Sequence, residues 1–161
     1  SLNELAVKLG VSVTTVDRYI DLLEKTFVIY RLRALSRNQR NEIRGNFKVY
    51  FIDVGIRNAI IHNFNSLSMR DDIGKLFENI FIIERLKKAM YAEEFKNYFF
   101  WRTYDQKEID FIEEGDGVFS AFECKYARGN IKNTTKDAFL KSYPKSDLTV
   151  ISKDNYLDFL I

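Results

Sequence analysis

The stretch from Lys107 to Lys125 constrains the fold of this chain more than any other. It reads as two strands, Lys107 to Ile112 and Phe119 to Lys125, joined across Asp116-Gly117. A two-residue type I′ turn needs positive φ at both central positions, which is why Asp-Gly is favoured there. A hairpin closed at this dipeptide sets Asp110 opposite Glu123 and Glu108 opposite Lys125; closing it at Gly115-Asp116 instead shifts the pairing by two. Side chains alternate along a strand, so Glu123 and Lys125 share one face while Phe122 and Cys124 point the other way. Directly opposed Cβ atoms lie roughly 4.5 to 5.5 Å apart, and two carboxylates at that separation repel.

Two arrangements relieve the repulsion. In one, Asp110 and Glu123 hold a hard divalent cation, Mg²⁺ or Mn²⁺, which takes one or two carboxylates together with waters and phosphate oxygens. Such an ion activates water and stabilises the leaving oxygen of a phosphodiester, and Lys125 would hold the attacking water or neutralise charge on the phosphate. In the other, the face is solvated, with a cross-strand pair between Glu108 and Lys125 and with Asp110 and Glu123 facing water. A single Cys124 and a single His62 cannot build a Cys/His zinc site, so any metal here has oxygen ligands. Cys124 reads as an inert core thiol in a reducing compartment, and His62 as a surface residue.

The front of the chain has a different pattern. Ser1 with Glu4 is a capping box ahead of a stripe of Leu2, Leu5, Ala6 and Leu9. Gly10-Val11-Ser12 is a turn, and Val13, Val16, Tyr19, Ile20 and Leu23 form a second stripe. Short helix, Gly turn and longer helix make a helix-turn-helix signature. Strands over Phe27 to Leu32 and Phe47 to Ile52 complete a winged helix lacking its first helix. Residues 1–60 carry ten Lys or Arg against six Asp or Glu, while residues 61–161 carry fifteen against seventeen. The front is therefore the basic part, and Arg37, Arg40 and Arg44, with Arg31, Arg33 and Lys48 beside them, form a candidate phosphate-tracking wing. Asp17, Asp21 and Glu24 on the second helix have the wrong sign for that role.

A short helix over Ile56 to Ile61 leads to a polar linker, residues 62–72. From Ile73 to Met90 the pattern is helical, with an apolar stripe wide enough to demand burial against a sheet. A strand at Tyr98 to Arg102, the hairpin, a helix from Ile131 to Tyr143, an apolar strand at Leu148 to Ser152 suited to a buried position, and a last helix from Asn155 follow. Trp101 reads as core.

Asp110, a turn, then Glu123-Cys124-Lys125 resembles the PD-(D/E)xK nuclease signature. Together with Gly74-Lys75-Leu76-Phe77-Glu78 at a helix start, the chain is similar to the C-terminal region of prokaryotic AAA+ family ATPases. The resemblance implies a winged helix at 1–61, a linker at 62–72 and an αβββαβ restriction-endonuclease-like domain at 73–161, an α/β (α+β) chain. It also implies that Glu78 reaches toward Asp110 to complete or orient a metal shell, that DNA is a partner, and that the ATPase motor lies upstream. Glu84 matches a recurrent acidic position of that family; the residues alone read it as a helical ion pair with Lys88. A Gln-x-x-x-Tyr motif common after the Lys strand is missing, as is a Gly-x-x-x-x-Gly-Lys-Ser/Thr phosphate loop. The implied function is metal-dependent phosphodiester hydrolysis, with a catalytically inactive nuclease-like DNA- or protein-binding module as the alternative.

At 161 residues with 46% hydrophobic and 15% aromatic content, the chain can bury a core. It has no apolar run of membrane-spanning length and no signal-like start, which points to the cytoplasm. The absent initiating Met points to a piece of a longer protein.

Overall fold

A computed structural model describes residues 1–36, 47–127 and 129–161. Helix α1 (Leu2–Leu9) starts at the capping box: the Glu4 amide donates to Ser1 Oγ at 3.2 Å, and the Glu4 carboxylate accepts from the Ser1 nitrogen at 2.7 Å. It stops at Gly10, whose φ of +65° only glycine adopts freely. Helix α2 (Val13–Lys25) is capped by Ser12. Strands β1 (Ile29–Ala34) and β2 (Phe47–Phe51) form an antiparallel pair, followed by α3 (Val54–Ile60). Then come α4 (Ile73–Tyr91), β3 (Asn97–Arg102), β4 (Glu108–Gly115), β5 (Val118–Cys124), α5 (Asn133–Ser142), β6 (Asp147–Ile151) and α6 (Leu157–Leu160). The order from residue 73 is α, β, β, β, α, β, α, in a mixed α+β architecture.

The six described strands form one sheet in the order β2-β1-β3-β4-β5-β6. Strand β1 runs parallel to β3, Arg33 facing Phe99 and Ala34 facing Phe100, and the Leu35 amide extends the ladder to the Phe100 carbonyl at 2.7 Å. The front hairpin and the later strands thus share one set of backbone hydrogen bonds. Residues 62–72 are tied down as well: Arg70, buried, donates to the Asn63 carbonyl, to Asn58 Oδ1 and to Asp72, and Arg57 reaches the same Asp72 carboxylate at 2.6 Å.

Two apolar layers sandwich the sheet. Helix α4 lays Phe77, Phe81 and Ile82 against Leu32, Phe100, Phe111 and Phe122. On the opposite face α5 lays Phe139 against Trp101, Ile109, Ile112 and Ala121, so Trp101 is core. The apolar β6 is not the buried strand that its composition suggests. It pairs with β5 alone among the described strands, at the sheet edge, and most of its residues are half-buried. Among the described residues no helix is long and apolar enough to cross a membrane.

Candidate active site

The hairpin sets the site. Asp116 and Gly117 have φ of +53° and +77°, as a type I′ turn requires, and Gly115 faces Val118 and Phe111 faces Phe122 across it. The paired residues end at Phe111 and Phe122, and the next link between the strands is the Cys124 amide on Asp110 Oδ2. On its other edge β4 slips by one residue: Phe99 pairs with Ile112 but Trp101 with Ile109, so Asp110 and Phe111 together oppose Phe100. This β-bulge explains why Ile109 packs in the α5 layer and Phe111 in the α4 layer although they are two apart. It also aims Asp110 toward α4.

There Asp110 meets residues from three other elements. Its Oδ1 accepts from Lys48 Nζ on β2 at 3.1 Å, and its Oδ2 from the Cys124 amide at 3.0 Å. The same ammonium lies 3.3 Å from Glu78 Oε1 on α4 and 2.6 Å from Glu108 Oε1, with the Phe100 ring beneath it. Tyr50, two residues from Lys48 and so on its face, donates its hydroxyl to Glu78 Oε1. Glu123, buried, has Oε1 on Lys125 Nζ at 2.7 Å, while its Oε2 is buried with no hydrogen-bond partner among the described residues. Glu78 and Asp110 are thus bridged by the Lys48 ammonium. Glu108 pairs with Lys48 and Arg102 instead of Lys125.

Electrostatics follow from crowding four carboxylates into a poorly solvated pocket. Burial, and then the Asp110 charge, push Glu78 and Glu123 above the usual carboxylate range, against the pull of Lys48 and Tyr50 on the first and Lys125 on the second. Burial disfavours the Lys48 ammonium, but Asp110, Glu78 and Glu108 outweigh it and hold Lys48 more firmly protonated than a free lysine. Burial and the Glu78 charge raise the Tyr50 hydroxyl, keeping it a donor. Cys124 is raised by burial and then by the carboxylates, and so is the inert thiol expected.

The donor set bears on a divalent ion in two ways. Glu123 Oε2, unpartnered among the described residues, lies near enough to Asp110 to feel its charge, and the two acids suit an ion that takes one or two carboxylates. The Lys48 ammonium, however, holds Asp110 Oδ1 and Glu78 Oε1, and among the described residues no three acidic, His or Cys side chains converge as a cage. Asp110, Glu123 and Glu78 are the kind of oxygen donor such an ion takes, and Lys48 neutralises two of them as the site stands.

Positions 73–157, more than half of the chain and carrying Glu78, Asp110, Glu123 and Lys125, match a family described as a domain of unknown function, DUF4143. The chain belongs to the DUF4143 family. Residues 1–68, which contribute Lys48 and Tyr50 to the site of this DUF4143 chain, match a second domain of unknown function, DUF8612. Uncharacterized proteins of Mycobacterium bovis and Mycobacterium tuberculosis are each 28% identical over 124 residues, covering 76% of this chain and 27% of their own length. An uncharacterized protein of Haemophilus influenzae is 29% identical over 98 residues, 61% of this chain and 22% of its own. The DUF4143 chain spans about a quarter of the length of these curated relatives. No solved structure matches it.

The other candidates fare unevenly. Arg37, Arg40 and Arg44 lie outside the described residues. Arg31 and Lys48 are engaged inward: Arg31 binds Asp17, Asp21 and Glu24 of α2, which turns those acids away from any groove. Glu84 pairs with Lys87 at 2.7 Å, not with Lys88, which reaches the Phe159 and Ile161 carbonyls. Sequence reasoning missed Tyr50 and Asn79. The Asn79 side chain, buried, accepts from the Phe51 amide at 2.9 Å and donates to its carbonyl at 2.7 Å, fixing β2 to α4 beside Glu78. A lone amide inside an apolar helical stripe was the available signal.

Proposed function

We propose that this chain is a winged helix joined to a PD-(D/E)xK nuclease-like fold, and that its site hydrolyses phosphodiesters in DNA on behalf of a larger, cytoplasmic ATPase-family protein. The observation that carries this reading is the gathering of Asp110, Glu123 and Lys125 on adjoining strands, with Glu78 of α4 bridged to Asp110 by Lys48. Asp110 and Glu123, with Glu78 beside them, are the residues that would hold Mg²⁺ or Mn²⁺. Such an ion supplies Lewis acidity and an acidified water. The chain's own groups do the rest. The Cys124 amide fixes Asp110, and Lys125, about two-fifths exposed, presents a cation at the mouth of the pocket where phosphate oxygens would approach. Burial of Phe111 and Phe122 keeps the floor of the site dry and rigid.

Purified protein incubated with single- and double-stranded DNA and Mn²⁺ tests the reading. Cleavage is expected, and it should drop by about a hundredfold or more in Asp110→Ala and in Lys125→Ala. Cleavage unchanged in both variants excludes the assignment.

A second reading, a catalytically inactive nuclease-like module that binds DNA or protein for the parent, draws on the Lys48 ammonium at Asp110 Oδ1. It expects no metal-dependent cleavage, and DNA binding that falls steeply with salt if phosphates are contacted.

A further inference from the structure

We infer that Lys48 is the resident cation of this site and that a divalent ion enters only by displacing it. The inference builds on the metal site of the hydrolytic reading and adds a competitor supplied by the front hairpin. Its basis is geometric. One ammonium lies within 3.3 Å of carboxylates on α4 and β4 that are thirty to sixty-two residues away from it in sequence. The ammonium lies over the Phe100 ring, and its neighbour Tyr50 binds the same Glu78 oxygen. A lysine is a compact point charge on a flexible stem, so it neutralises carboxylates much as a bound ion does while remaining exchangeable.

Both cations cannot occupy the pocket as it stands. Each Asp110 oxygen already accepts one hydrogen bond, Oδ2 from the Cys124 amide and Oδ1 from Lys48, so a metal drawn to Asp110 and to Glu123 Oε2 would share the Asp110 carboxylate with the ammonium. Two positive charges on one carboxylate in a poorly solvated pocket repel strongly. Lys48 has somewhere to retreat. Its shortest contact, 2.6 Å, is to Glu108 on the other side of the bulge, which is not among the metal-facing acids. Withdrawal toward Glu108 frees Asp110 and Glu78 together. The front hairpin thereby sets how readily the site accepts an ion, and anything that moves β2 alters metal affinity.

Calorimetric titration with Mn²⁺ in the absence of nucleic acid tests this. Relative to the parent chain, Lys48→Gln should bind Mn²⁺ about tenfold more tightly or better. Equal or weaker binding, or no binding by either protein, overturns the inference. Because Lys48→Gln leaves buried acids unneutralised and its folding is at risk, a second measurement uses the unaltered protein: acetylation of amines by a water-soluble succinimidyl ester, read by mass spectrometry, with exposed Lys136 as reference. Lys48 should become several-fold more reactive at saturating Mn²⁺, and unchanged protection at saturation overturns the displacement. Neither readout depends on cleavage. A protein in which Mn²⁺ displaces Lys48 but no DNA is cut removes the hydrolytic reading and leaves the competition standing; one that cuts DNA with Lys48 undisturbed does the reverse.

Discussion

Two clusters of similar make-up sit side by side on the front hairpin. On β1, Arg31 lies over the Phe47 ring and meets Asp17, Asp21 and Glu24 at 3.5, 3.3 and 2.5 Å. On β2, Lys48 lies over the Phe100 ring and meets Glu78, Glu108 and Asp110 at 3.3, 2.6 and 3.1 Å. The acids around Arg31 all come from α2, seven to fourteen residues before it, and their side chains are 30 to 56% exposed. Those around Lys48 come from α4 and β4, thirty to sixty-two residues after it, and are 13 to 32% exposed. Although Arg31 itself is as covered as Lys48, the acids reach water in the first case, making a clasp, and are largely desolvated in the second, making a pocket. Charge inventory does not set the role of a cluster; burial and the origin of its members do.

The sharpest way to break that comparison is to neutralise each cation in turn. Lys48→Met leaves Glu78 and Asp110 facing each other without a counter-charge, and removing one partner of a buried pair costs about 3 kcal/mol or more. Urea unfolding should show a midpoint displaced to match, with little dependence on salt, because screening is weak for desolvated charges. An unchanged midpoint would mean that the pocket is as wet as the Arg31 clasp.

Removing the scaffold of the pocket ranks next. Asn79→Ala leaves the Phe51 amide and carbonyl without their side-chain partner, and about 2 kcal/mol of stability should go with it. Hydrogen exchange at β2 should speed up while exchange at β4 and β5 does not, since β2 would lose its tie to α4.

These residues also mark the limit of what the sequence discloses. The Asp116-Gly117 turn, the hairpin register that follows from it and the Ser1 capping box are local, each fixed by backbone preferences of a few neighbouring residues, and each is legible. The order of strands and helices from residue 73 is legible for the same reason. The bulge at Asp110-Phe111 is not, because Glu108 to Ile112 reads as regular alternation while the slip is decided by how β4 fits β3. Nor is the parallel pairing of β1 with β3, which joins segments more than sixty residues apart with no local signature. Without that pairing Lys48 looks like one more basic residue on a wing, and its carboxylates look like three unrelated acids.

Titration should separate the two clusters by sign. Glu78 and Glu123 are raised in the folded protein, first by burial and then by Asp110. Between the ordinary carboxylate range and those raised values the folded state binds protons that the unfolded state does not, so their contribution is fully present at the acid end and lost as pH rises through the folded values. Asp21 is lowered, first by its hydrogen bond from Lys25. Its contribution is present above the ordinary value and lost as pH falls through the folded one. Urea midpoints measured from acid to neutral pH should show Glu78→Gln flattening the decline on the rising-pH side by up to about 1.4 kcal/mol per pH unit. Asp21→Asn should flatten only the acid-side loss. The same sign of change in both variants would erase the distinction between clasp and pocket.

The smallest effect is expected at the clasp itself. Arg31→Met removes three contacts at once, but the three acids remain on one helix face where water reaches them, so none is left as a buried charge. Exposed pairs each contribute well under 1 kcal/mol, and they share one guanidinium, so the total should be about 1 kcal/mol or less. Salt should shrink it further, because screening at high ionic strength shortens the reach of surface charges to a few ångströms. The comparison therefore predicts a small, salt-sensitive loss for Arg31→Met beside a large, salt-insensitive loss for Lys48→Met. Should Arg31→Met cost as much as Lys48→Met and show no response to salt, exposure would not be what distinguishes the two clusters, and Arg31 would have to be counted, with Lys48, among the cations that hold the sheet to its helices.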